Sequence, residues 1–276
     1  MTRRVPSRHR RGFAAGHARL AAILLSLALA GCATRRPAPD AHVPPFARVP
    51  YEPFSRAAAV AIALREWRLF GSPIDDDPPG TRPPPLPDDK PERMEGLWQR
   101  VGEYWWLGVP ANQQEAAWTG KHDATGGVFP ASDDERFAWS AAFVGYVMRI
   151  AGAGARFPYA DAHHVYIDAA FGHAGWAVTA EPPDSYAPLP GDLICASRGR
   201  EPLRFADLPA GRFPAHCDIV TAVAPGVLDV IGGNVDDAVT LKHIPTTPDG
   251  HLADAAGTVV DSRYPWCVVL RVGYDR

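Results

Sequence analysis

Asp218-Ile219-Val220-Thr221-Ala222-Val223-Ala224-Pro225-Gly226-Val227-Leu228-Asp229-Val230-Ile231 is the stretch on which the fold class turns. Two apolar runs rich in β-branched residues, Asp218 to Val223 and Val227 to Ile231, are parted by a Pro-Gly turn, as in a pair of antiparallel strands. Further strand-like runs stand on either side, at Asp192 to Ala196, Ala238 to Ile244 and Trp266 to Val272, again separated by Gly, Pro and Asp. Upstream, the apolar pattern predicts helices over 140–151 and 162–171. Helices followed by consecutive strands predict an α+β fold with an antiparallel sheet.

Towards the N-terminus the pattern is helical and interrupted. Ser55 ahead of Arg56 to Trp67 reads as a capped helix stopped near Gly71. Seven Pro within residues 73–87 require a surface loop. Pro91 suits the first turn of a second helix whose apolar face is Met94, Leu97, Trp98, Val101, Tyr104 and Trp105, with Gly108 at its end. Residues 54–115 are therefore expected as a small helical N-terminal subdomain, and 116–276 as the main domain.

An apolar content of 46% excludes intrinsic disorder, and Gly at 25 of 276 residues excludes a collagen-like fibre. The net charge of −3 hides an asymmetry, because residues 1–31 carry six Arg (Arg3, Arg4, Arg8, Arg10, Arg11, Arg19) and no acid. Without them 22 basic residues face 31 acidic ones, a balance of −9. Such a surface repels phosphate backbones, so nucleic acid is not an expected partner.

The Arg-rich start leads into Leu20 to Ala30, an apolar run too short to span a bilayer, which is the form of a signal peptide. It ends in Leu29-Ala30-Gly31-Cys32, which resembles the lipobox of bacterial lipoproteins. The resemblance implies that residues 1–31 are removed, that Cys32 is acylated and inserts in a lipid bilayer, and that the Pro-rich residues 32–53 form a tether. By analogy with Gram-negative lipoproteins, Ala33 in place of Asp implies the periplasmic face of the outer membrane. Cys195, Cys217 and Cys267 remain, an odd number, so at most one internal bridge forms; Cys195 with Cys217 is the expected pair because both sit in apolar strand-like runs that can be neighbours.

Three segments could carry chemistry. Ser140 opens a helix, where a hydroxyl stands among N–H groups at the positive end of the helix dipole; a plain N-cap is the simpler reading. In Ala215-His216-Cys217-Asp218-Ile219-Val220, strand alternation puts His216 and Asp218 on one face and turns Cys217 into the core. Val230-Ile231-Gly232-Gly233-Asn234 can be a turn in which Gly and Asn supply positive φ.

In order and character these segments resemble the NlpC-like and CHAP-type cell-wall hydrolases of papain-like fold. The matching segments are Trp139-Ser140-Ala141-Ala142-Phe143-Val144, Pro190-Gly191-Asp192-Leu193, His216 with Asp218-Ile219-Val220, and Gly232-Gly233-Asn234. The match covers about residues 116–276, and the whole pattern also resembles an uncharacterised bacterial family, domain of unknown function 2272.

The resemblance implies an antiparallel sheet packed on a nucleophile helix, with Ser140 standing where the hydrolases hold Cys. It assigns Ser140 as nucleophile, His216 as base and Asn234 as the residue that orients the imidazole, with Asp218 as rival for that last role. Helix-start N–H groups near Ser140 and Ala141 would hold an oxyanion. Trp139 is a candidate stacking surface for substrate, and His163 lines the same groove if its helix packs near Ser140. No cofactor is implied, and no ligand spacing among His122, Asp123, His163 and His216 supports a metal. The expected function is a peptidoglycan amidase or peptidase-like hydrolase; the competing one is a catalytically silent module that binds peptidoglycan peptides or a periplasmic protein.

Overall fold

A computed structural model describes residues 53–275 except Pro84, His173 and Ala174. The signal peptide, Cys32 and all of the tether but Pro53 lie outside the described residues. Helix α1 (Arg56–Leu69) starts where Ser55 Oγ accepts a hydrogen bond from Ala58 N, the N-cap read in the sequence. Its buried positions are Ala59, Ala63 and Glu66, small enough on one side to seat the helix closely. Pro91 opens only a short 3-10 turn, Pro91–Arg93; α2 (Leu97–Gly108) begins after Gly96, whose φ of 86° breaks the helix expected to run through.

Helix α3 (Ser140–Ile150) is buried along Ser140–Met148. A helix apolar on every side must be covered on every side, and α3 packs on the sheet beneath it and against α1 and α2. The α2–α3 crossing is very close: a Cβ on Gly145 would lie 2.1 Å from Gly108 O, and one on Gly108 would lie 1.9 Å from Ala142 O. Glu66 is wholly buried at the helical junction, accepting from Arg100 Nη2 at 2.7 Å, Tyr104 Oη at 2.7 Å and Tyr146 Oη at 3.2 Å. Three helices are thereby fixed through one carboxylate whose lone pairs are satisfied.

After α4 (His163–Phe171), strands β1 (Val178–Glu181), β2 (Leu193–Ser197), β3 (Ala215–Ala224), β4 (Val227–Val235), β5 (Ala238–Pro245) and β6 (Trp266–Val272) form one sheet in the order β1-β6-β2-β3-β4-β5. Every pairing is antiparallel, so the architecture is α+β with a six-stranded antiparallel sheet. Both faces are buried. Cys195, Cys217, Ile219, Ile231 and Leu270 pack with the helices, while Ile194, Val220, Val230, Ile244 and Trp266 pack with loop residues such as Leu252 and Tyr186.

The subdomain boundary expected at residue 115 does not divide the packing. Phe54, Ala59, Val101 and Trp105 belong to the same core as Phe143 and Ile219, because α1 and α2 have no other surface on which to bury their apolar faces. Cys195 and Cys217 stand opposite each other in the β2–β3 register and are bonded as a disulfide, while Cys267 is free and buried. Among the described residues no helix is long and apolar enough to cross a membrane.

Candidate functional site

Ser140 is the first residue of α3 rather than its cap; Trp139 holds the cap position and makes no side-chain capping bond. The first backbone bond of the helix runs from Phe143 N to Trp139 O, so the N–H groups of Ser140, Ala141 and Ala142 stand at its positive end. The Ser140 hydroxyl is instead 2.7 Å from Nε2 of His163, at the start of α4. One helical turn on, Tyr166 Oη is hydrogen-bonded to Nδ1 of the same ring.

His163 is 4% exposed. Burial, and next the neighbouring His216, push its pKa well below the ordinary histidine value, so the ring is neutral and carries one proton. The hydroxyl of buried Tyr166 makes its hydrogen bond to this ring. If the wholly buried Tyr166 donates to Nδ1, then Nε2–H donates to Ser140 Oγ, and the one proton left without a partner is that of Ser140, which keeps 8% exposure. The opposite tautomer strands the Tyr166 proton, at a cost of about 1–3 kcal/mol. His163 therefore holds the Ser140 oxygen and leaves the hydroxyl proton free.

The second imidazole is His216, whose ring centroid is 5.3 Å from that of His163. Its Nε2 is 3.0 Å from Asp218 Oδ1, and Lys242 Nζ lies 2.6 Å from Asp218 Oδ2 as an ion pair, off the line of a good hydrogen bond. Burial raises the Asp218 pKa, but Lys242 and His216 outweigh it and hold the carboxyl well below the usual range. An ionised carboxylate only accepts, so Nε2 of His216 carries the hydrogen. Burial lowers the His216 pKa against the opposing pull of Asp218, and the ring is neutral. Its Nδ1 is then a bare lone pair, buried and without a partner.

The Gly232-Gly233 pair makes room for this arrangement. A Cβ on Gly232 would lie 2.0 Å from Asp218 Oδ1 and 2.9 Å from His216 Nε2; one on Gly233 would lie 2.5 Å from Phe143 Cβ. Strand β4 thus closes over the His216–Asp218 pair and onto α3 at one point, which only glycine permits.

The structure bonds Ser140 to His163 and His216 to Asp218 and sets the two imidazoles side by side, but no hydrogen bond joins the expected pair Ser140 and His216, and two further expected residues lie outside. Asn234 has φ of 55° and begins a run with Asp236 and Asp237, also at positive φ, where β4 turns into β5; no hydrogen bond joins it to His216 among the described residues. The side chain hydrogen-bonded to the imidazole is that of Asp218, two along the same strand face. Trp139 is not a stacking surface. It is fully buried, donates its indole N–H to Glu92 Oε2 at 2.6 Å, and packs on Phe70, Tyr104 and Phe143. Burial, and then Asp237, push the Glu92 carboxyl up to about 8.

Lys242 and Tyr166 were not singled out from the sequence. Lys242 had a legible signal, a charge inside the apolar run Val239-Thr240-Leu241-Lys242-His243-Ile244; Tyr166 had only its i+3 spacing from His163. Among the described residues no three His, Cys, Asp or Glu side chains are grouped so as to hold a metal ion.

No curated protein and no solved structure is detectably similar to this chain. A family model does match, over residues 92–272, a span that runs from Glu92 through Ser140, His163, His216 and Lys242 to the end of β6. That span is well over half of the sequence, and the chain accordingly belongs to the DUF2272 family, described as an uncharacterized protein conserved in bacteria.

Proposed function

We propose that this chain is an exported lipoprotein, held by acylated Cys32 at the periplasmic face of the outer membrane, with a papain-like arrangement of sheet and nucleophile helix that hydrolyses an acyl bond. Its substrate class is an amide in peptidoglycan peptides. The observation that carries the reading is the Ser140 hydroxyl, bonded to neutral His163, whose ring centroid lies 5.3 Å from that of His216 with its bare, buried Nδ1.

Ser140 Oγ attacks the acyl carbon as its proton passes to His216 Nδ1. Asp218 stabilises the imidazolium so formed, and the α3 N–H groups take the oxyanion. The proton then returns from His216 to the leaving nitrogen, and water releases the acyl group from Ser140 by the same route reversed. Purified protein incubated with sacculi and with 4-nitrophenyl acetate tests this. Ser140→Ala is expected to lose at least a hundredfold in rate, and equal rates for both proteins would remove the hydrolytic reading.

One observation favours a second reading, a binding module without turnover: Ser140 is only 8% exposed, and His163 is more buried still. Under that reading sacculi retain the wild type and Ser140→Ala alike, with no fragment released.

A further inference from the structure

Resting on the hydrolytic reading above, we infer that Arg198 is the specificity residue of the Ser140 site and that it recognises a carboxylate on the substrate beside the acyl group attacked. The β2–β3 ladder pairs Ala196 with His216 and Ser197 with Ala215, and Arg198 N donates to Pro214 O at 2.8 Å, so Arg198 continues the ladder by one residue. Side chains alternate along a strand. Arg198 therefore stands on the sheet face of Ala196, the face that also carries His216 and Asp218, one diagonal step from His216. Unlike those buried groups it is exposed.

Its guanidinium has no acid to hold. Arg198 makes no ion pair and no side-chain hydrogen bond among the described residues, whereas Arg56, Arg82, Arg93, Arg100, Arg156, Arg263 and Arg271 all do. The same is true of Arg200, Arg204 and Arg212, which lie with it in the β2–β3 connection against two acids, Glu201 and Asp207. Unpaired positive charge in one connection of an otherwise acidic protein fits an anionic ligand. A planar guanidinium fork matches the two oxygens of one carboxylate, as free peptide termini and acidic side chains present them. The field of Arg198 reaches the inner groups as well, since it acts on both His163 and His216.

The test compares two esters on the full-length chain in detergent: neutral 4-nitrophenyl acetate and the mono-4-nitrophenyl ester of glutaric acid, which adds a carboxylate. The wild type should prefer the glutarate ester in kcat/KM. Arg198→Ala should reduce that preference about tenfold and Arg198→Lys should restore part of it, a pattern that a merely structural Arg would not give. Hydrolysis with the same ester ratio in wild type and Arg198→Ala overturns the inference. If neither ester is cleaved in a Ser140-dependent way, the hydrolytic reading falls, and a succinate titration followed by the NMR ring signals of His163 and His216 decides the anion site by itself. Shifts in the wild type that vanish in Arg198→Ala support it; equal or absent shifts overturn it.

Discussion

In the proposed hydrolysis, the lone pair on His216 Nδ1 sets the pH behaviour of the site. A general base acts only when deprotonated, and burial lowers the His216 pKa, so protons leave the folded protein below the ordinary histidine value of 6.5. The rate of 4-nitrophenyl acetate cleavage should therefore rise with pH along a limb whose midpoint lies below 6.5, then stay level through neutrality. A midpoint above 6.5 would assign the proton acceptor elsewhere. His216→Ala should lose about 10²–10⁴ in kcat/KM, the usual range for removing a positioned base. Gly232→Ala tests the same atoms from the other side. Its Cβ would sit 2.0 Å from Asp218 Oδ1, so the carboxylate must leave the imidazole or the strand must move. The expected result is at least a tenfold loss of activity and about 1–3 kcal/mol of stability by urea denaturation. Unchanged activity and stability would show that the close approach of β4 plays no part in holding the pair.

At the scale of elements, the α2–α3 crossing is one of the closest joints in the fold and seats the helix that Ser140 opens. Because backbone meets backbone at Gly108 and Gly145, Gly145→Val has no flexible neighbour to displace. Overpacking at such a point costs about 1–3 kcal/mol or more, and thermal unfolding should show a corresponding loss; a tolerated valine would mean that the helices slide freely. The same scale explains what the sequence made legible. Apolar runs announced α3 and five of the six strands, with Trp266–Val272 read to the residue, because buried strands and a covered helix leave few polar positions. Strand β1 escaped because Val178-Thr179-Ala180-Glu181 is only four residues long, pairs only with β6 at the sheet edge, and has just Val178 and Ala180 on its apolar side. The partnership of Ser140 with His163 was illegible for another reason: it depends on how α4 docks against α3, and no local pattern encodes that docking. Asp218, two residues from His216 on one strand face, was readable from alternation alone.

For the whole molecule, the disulfide ties β3 to β2 and links stability to the redox state of the surroundings. Cys195 and Cys217 are 22 residues apart, and a loop of that size closed in the unfolded chain is worth about 3 kcal/mol in the chain-entropy account. For a folded body of this size that is a fall of about 6–12 °C in Tm on reduction, measured by thermal denaturation with and without dithiothreitol. Exchange with the third thiol does not compete. Burial pushes Cys267 up to about 11, and its Sγ donates to the backbone oxygen of Cys195, so thiolate is scarce and inaccessible. Reduction should leave activity unchanged well below the lowered Tm, because the β2–β3 ladder that positions His216 consists of backbone pairs from Leu193↔Ile219 to Ser197↔Ala215 and survives loss of the S–S bond. Activity that vanishes on reduction at a temperature where the fold persists would show instead that the bridge itself holds His216 in place, making the site dependent on oxidation.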